Sequence, residues 1–201
     1  MSDTQVEDER PGLQVQPEPG SWKIDPVHSF VTFRVWHQAV SFARGIAAGP
    51  KGVITIAPDL LDSSVRASID ASSLTTLHPL RDAKMRGSEL LDVDRFPSID
   101  FVSTGLWATG EHYYELGGRL TLHGLTKDVS LDLAFNGVVQ DSFGKQRLGV
   151  TATTSLARAD FGVGEWGHVP LVLGGFMLPD GHCRRLPRAP DHEFVEGHAP
   201  Q

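Results

Sequence analysis

Between residues 20 and 165, apolar and polar positions alternate with a period of two. Ser29, Val31, Phe33, Val35 and His37 share one face of an extended segment, with His28, Phe30, Thr32, Arg34 and Trp36 on the other. Val65, Ala67, Ile69 and Ala71 alternate with Ser64, Arg66, Ser68 and Asp70, and Val129, Leu131, Leu133 and Phe135 with Asp128, Ser130, Asp132 and Asn136. Leu148, Val150, Ala152, Thr154 and Leu156 form a further set, and Ile99/Phe101 and Leu120/Leu122 are shorter ones. Each set predicts a strand with one buried face. Gly49-Pro50, Thr109-Gly110, Gly124, Asn136-Gly137 and Gly144 predict the turns between them. One stretch, about 79–93, suits a helix. Leu80, Met85, Leu90 and Leu91 fall loosely on one side and Gly87 weakens it, so the helix is expected to be short or broken. Many one-faced strands and almost no helix predict an antiparallel sandwich or barrel.

The two ends lack this period. Residues 1–20 carry Asp3, Glu7, Asp8, Glu9 and Glu18 against Arg10, with Pro11, Pro17 and Pro19, and are expected to form a disordered acidic leader. Residues 179–201 show no strand or helical period and are expected to be an irregular tail, leaving 21–178 as the folded domain. The formal charge is −7, most of it in the leader. An acidic balance argues against nucleic acid or an anionic membrane surface as the main partner. A lone cysteine, Cys183, excludes an intramolecular disulfide and a multi-thiolate metal site. The start has no apolar signal region. The longest apolar window, Leu171 to Leu178 between Pro170 and Pro179, is too short to span a bilayer. A cytoplasmic protein without stable membrane insertion is expected.

Candidate chemistry is sparse. Gly162 to Gly167 reads G-x-G-x-x-G, but no helix of useful length fits after it, so a Gly-rich turn is favoured over a dinucleotide site. His28 and His37 have opposite parity and lie roughly 30 Å apart on a regular strand, so they cannot share a metal ion. His123 has the parity of Thr121 and is expected to point outward. His37, ending an apolar face, is the one histidine expected to be buried, as a core residue or as a polar group meeting a ligand head. No nucleophile motif is present. Arg81-Asp82 at the helix start is explained most simply by an acid favoured by the helix dipole, with Arg81 pairing nearby.

Five segments, in order, resemble one family. Asp25, His28, Ser29, Val31, Phe33, Val35 and His37 resemble the D-x-x-H-S opening of the YceI-like family and the alternating strand that follows it. Leu74-Thr75-Thr76 with Arg81-Asp82 resembles its next segment, and Phe96-Pro97-Ser98-Ile99-Asp100-Phe101 the one after. Gly118 to Lys127, and Arg147-Leu148-Gly149 with Leu156 to Gly162, resemble the last two. The resemblance covers about 22–164. It implies an all-β fold, an extended antiparallel lipocalin-like β-barrel of about eight strands with one short helix, enclosing an apolar tunnel for a polyisoprenoid or other long-chain amphiphile. It implies no catalytic residues. The sequence departs from the family at Lys84-Met85, where His-Leu is usual. It also departs after Phe161-Gly162, where only 171–178, interrupted by Gly174-Gly175, offers a closing strand.

Ten buried methylenes are worth about 8 kcal/mol, so an apolar tube holds a long chain without an elaborate polar site. The leading expectation is therefore a carrier or store for a long-chain isoprenoid-like lipid, such as a polyisoprenoid or isoprenoid quinone. It would be neither an enzyme nor dependent on a cofactor or metal. The expected ligand-binding residues are Val31, Phe33, Val35, His37, Ile69, Ile99, Phe101, Leu120, Leu122, Leu131 and Leu133. Two alternatives stay open. One is an enzyme acting on the lipid head group through His37 or Arg81/Asp82. The other is a protein-interaction module, with homodimerisation one form of it, using an unclosed barrel edge near the C-terminus.

Overall fold

The computed structural model describes the backbone of residues 16–37, 40–164 and 168–179. These residues form strands β1 (Gly20–Ile24), β2 (Phe30–His37), β3 (Ser41–Ala48), β4 (Lys51–Ile56) and β5 (Ser64–Asp70), then the helix α1 (Pro79–Arg86). Strands β6 (Ser98–Ala108), β7 (Tyr113–Leu122), β8 (Leu125–Gln140), β9 (Gln146–Ala157) and β10 (His168–Pro179) follow.

Every strand pairing is antiparallel. The order β1-β4-β5-β6-β7-β8-β9-β10 returns to β1, because β1 pairs with both β4 and β10. Eight strands thus close a hydrogen-bonded ring, a lipocalin-like barrel as expected, and the hairpin β2–β3 adds two more. Along one side of β10, Met177–Pro179 pairs with β1 and Leu171–Gly174 with β2. Beyond β2, β3 reaches the loop after β5 through paired backbone bonds between Ile46 and Thr75 of 2.8 and 2.9 Å.

The C-terminal strand corrects the sequence reading. β10 is regular over 12 residues, and Gly174-Gly175 does not break it. It pairs with β9 from His168 to Met177 and has neighbours on both sides, so no open edge lies there. Glycines carry full backbone hydrogen-bonding capacity and weaken a strand only where nothing else holds it. Here two flanking ladders do. A strand rather than a helix after Gly162 also removes the context a dinucleotide site needs.

Two turn readings are refined. Asn136-Gly137 lies inside β8, where the register against β9 shifts between Phe135 and Gly137. Gly137 adopts φ 107°, so the pair forms a bulge, and the turn falls at 141–145 instead. His123 and Gly124 both have positive φ, 51° and 74°, and are the two loop residues of the tight β7–β8 hairpin. Strand parity therefore does not apply to His123. Its Nδ1 lies 3.1 Å from the Phe161 carbonyl oxygen, and its ring meets the edge of Phe96.

Two apolar clusters form the core. Trp22, Ile24, Ile54, Ile56, Val138, Leu148 and Val150 pack together, and Leu91, Leu120, Leu156, Phe161 and Val163 form the second. Leu148 and Leu156 are eight residues apart on β9, about 27 Å at strand rise, so the clusters lie at opposite ends of the barrel. Beyond the first cluster, Asp25 is buried and accepts from Arg147 Nη1 at 2.9 Å and from the Val27 backbone N–H. His28 Nδ1 lies 2.8 Å from it, and Arg147 also bonds Asp141. This network ties the β1–β2 turn to the β8–β9 loop.

Candidate functional site

The strands place their apolar faces around an elongated cavity of about 450 Å³. Along β9 it is lined by Val150, Ala152, Thr154 and Leu156, a span of about 20 Å at strand rise. Val31, Phe33, Val35, Ile69, Ile99, Phe101, Leu120, Leu122, Leu131 and Leu133 all line it as well. These are ten of the eleven residues expected from the sequence to bind a ligand, and the structure places their side chains on the cavity wall. The eleventh, His37, has a side chain outside the described residues. Their opposite-parity neighbours face away: Arg34, Arg66, Arg119 and Asp132 are exposed.

Val65, Ala67 and Val129, which share the alternation, line it too, while the other lining residues carry no comparable sequence signal. Ile24 and Ile54 stand on β1 and β4, strands too short to establish a period. Leu74, Met85, Leu90 and Leu91 come from α1 and the irregular segments beside it, and Phe161 and Val163 from the turn after β9. Among the described residues, the polar lining is confined to Thr76, Arg81, Lys84, Thr154 and Arg158. Among the described residues, no Asp or Glu lines the cavity.

The helix at this end is held by a polar network. Pro79 occupies the first turn, where its missing N–H costs nothing, and His78 Nδ1 accepts from the Arg81 backbone N–H at 3.4 Å. Asp82 is buried and accepts from Thr75 Oγ1 at 2.6 Å, from the Thr76 N–H at 2.8 Å and from Thr76 Oγ1. Arg81 donates to Thr76 Oγ1 at 2.7 Å and to the Thr76 carbonyl at 3.1 Å, and Arg86 donates twice to the Leu74 carbonyl. Arg81 and Asp82 thus meet at Thr76 rather than as an ion pair. The hydrogen bonds from Thr75 and Thr76 outweigh burial and, with the Arg86 charge, hold the Asp82 carboxyl down at about 2. At Asp25 burial pushes the carboxyl up. The bonds from His28 and Val27, and the charges of His28 and Arg147, more than offset this and leave it below the usual range.

A curled antiparallel sheet around an apolar cavity, with one helix at its end, defines a lipocalin-like barrel. The chain belongs to the YceI-like family, whose domain model matches residues 22–177. A UPF0312 protein of Pseudomonas putida is 36% identical over 147 residues, covering 71% of this chain and 76% of that protein. A UPF0312 protein of Vibrio cholerae is 34% identical over 137 residues, 68% and 72% of the two chains. Among solved structures, Burkholderia cenocepacia BcnA superposes with a TM-score of 0.65 at 18% identity, covering 78% of this chain and 99% of that one. A polyisoprenoid binding domain from Saccharophagus degradans, implicated in plant cell wall breakdown, gives a TM-score of 0.63 at 17% identity over 81% of this chain and all of that one.

Proposed function

We propose that this protein binds one long-chain amphiphile, a polyisoprenoid, isoprenoid quinone or similar lipid, and acts in the cytoplasm as its carrier or store. The observation that carries the reading is the 450 Å³ cavity lined almost wholly by aliphatic and aromatic side chains. A cavity of this volume, spanning about 20 Å along β9, has room for a tail of roughly fifteen methylenes or more. Fifteen buried methylenes contribute about 12 kcal/mol, set against an association cost of about 4–15 kcal/mol. At the lower end of that cost the tail alone reaches about micromolar affinity. The polyisoprenoid binding ascribed to the Saccharophagus domain of the same fold supports this choice of ligand.

An enzyme acting on the head group is less well supported. A carboxyl held at about 2 is a poor base near neutral pH, and Asp82 is occupied by three hydrogen bonds. Titrating the full chain with saturated alcohols of increasing length tests the proposal. Affinity should rise severalfold per methylene and level off once the tail outgrows the cavity. An affinity independent of chain length would contradict it.

A further inference from the structure

The cavity reaches solvent beside α1. Among its described lining residues only Arg81 and Lys84 are exposed, and both stand on that helix. The third cationic lining residue, Arg158, is half-buried and donates to the Val163 carbonyl at 2.8 Å. At the opposite end Ile24, Ile54, Leu116 and Val150 are buried, and Trp22, Val138 and Leu148 pack behind them. Two leucines flank the α1 mouth. Leu77 and Leu80 are 87% and 80% exposed, although their neighbours Thr76 and Arg81 line the cavity. Val40, 83% exposed in the turn between β2 and β3, lies at the same end, because β2 runs along β10 from Gly174 toward His168. Leu77 has φ 60°, in the left-handed region, where a bulky side chain is strained and Asn or Gly sits more easily. Its backbone N–H donates to Thr75 Oγ1 at 3.0 Å. An apolar side chain held outward at a conformational cost points to a use for it. The charge beside it is cationic. Between Leu77 and Arg86 the one acid, Asp82, is buried and bonded to Thr75 and Thr76. Lys84 has Glu89 at 3.7 Å, a weak pair because both side chains are largely exposed. The opposite end also exposes apolar side chains, Val27 and Phe143 among them, but its loops carry the exposed acids Asp59, Asp62 and Glu111 against Lys145.

We infer that the α1 end docks on a lipid bilayer, with Leu77 and Leu80 entering its interface and Arg81 and Lys84 reaching the lipid phosphates. The long-chain ligand then passes between bilayer and cavity without crossing water. Docking serves the lipid site proposed above and rests on that reading. Exposed leucines beside cations have the makeup of an interfacial anchor, in which apolar side chains bury at the boundary of headgroups and acyl chains while long basic ones stay with the phosphates. Two leucines and two cations make a weak and reversible contact, which lets a loaded carrier leave again.

The test follows retinol, a fluorescent isoprenoid alcohol, from phosphatidylcholine vesicles carrying a non-exchangeable energy acceptor into the full-length protein. Retinol binding without vesicles is measured beside it. Loading by contact makes the rate constant of uptake rise with protein concentration, whereas release through water fixes it at one value. In a Leu77→Asn/Leu80→Gln variant Asn suits the left-handed backbone and Gln the helix, and neither position lines the cavity. Its affinity for retinol in solution should stay unchanged while uptake from vesicles slows about tenfold. Phe143→Ser, at the opposite end, should take up retinol at the wild-type rate. A rate constant independent of protein concentration, or a double variant as fast as wild type, would overturn docking while leaving lipid binding intact. Equal slowing by Phe143→Ser would overturn its placement. Retinol bound neither from solution nor from vesicles would overturn the lipid reading instead.

Discussion

Phe33 is the sharpest place to perturb the cavity. It sits mid-strand on β2, is 8% exposed and lines the cavity, while Arg34 beside it is exposed and stacks over Phe42 at 4.9 Å. Phe33→Asp removes an apolar ring worth about 2–3 kcal/mol of burial. It also sets a carboxyl against hydrocarbon, which raises its pKa by about 3–5 units. At pH 7 that shift costs about 4 kcal/mol, at roughly 1.4 kcal/mol per unit. The total of about 6 kcal/mol rivals the whole stability of a small domain, about 5–15 kcal/mol. Arg34→Asp loses only the ring contact, about 0.5–1 kcal/mol. Urea unfolding of both variants, with dye displacement by geranylgeraniol, should show a large fall in midpoint and lost binding for Phe33→Asp, and little change for Arg34→Asp. Lowering the pH from 7 to 5 should return about 1.4 kcal/mol per unit to Phe33→Asp, because the raised carboxyl protonates in the folded state first. Equal stability and binding in the two variants would refute the inward assignment of this face.

Three further outcomes follow from other parts of the barrel. Gly45 pairs with Phe33 across β2–β3, and a Cβ there would collide with the Phe33 ring and the Thr75 carbonyl, so Gly45→Val should cost about 1–3 kcal/mol; an unchanged melting temperature would show that the ring does not lie over this glycine. Asp25→Ala strips Arg147 of one of its two carboxylates and should cost on the order of 2–4 kcal/mol in urea, with wild-type stability the contrary result. Asp82 is held at about 2 and Asp25 is also lowered, so both contribute stability above their ordinary values near 4 that is lost as the pH falls through their folded values. The melting temperature should therefore drop between about pH 4 and 2, and Asp82→Asn should flatten that drop; an identical slope in the variant would remove Asp82 from the acid response.

Much of the barrel was legible in the alternation because a one-residue step sends a strand side chain to the opposite face. Val31/Phe33/Val35 and Leu131/Leu133 show their inward side in the bare sequence. β10 was not legible, because Pro170 and Gly174-Gly175 look like interruptions until β9, β1 and β2 supply its partners. Asn136-Gly137 misled for the opposite reason. The dipeptide suits a turn, but long pairing with both β7 and β9 absorbs it as a bulge. The cationic end was visible only as the Arg81-Asp82 pair. Arg158 lies more than seventy residues further on and reaches the same cavity only through the closure of the sheet. Lys84 stands out in the sequence as a departure from the family pattern, with nothing local to say that it faces the cavity.

Native mass spectrometry of the full-length protein, gently purified and then incubated with vesicles containing geranylgeranyl monophosphate, tests lipid binding most directly. A 1:1 adduct that is released by organic solvent and is absent from Phe33→Asp is the expected result. A bare-chain mass both as purified and after incubation, from a protein shown to be folded, would contradict it.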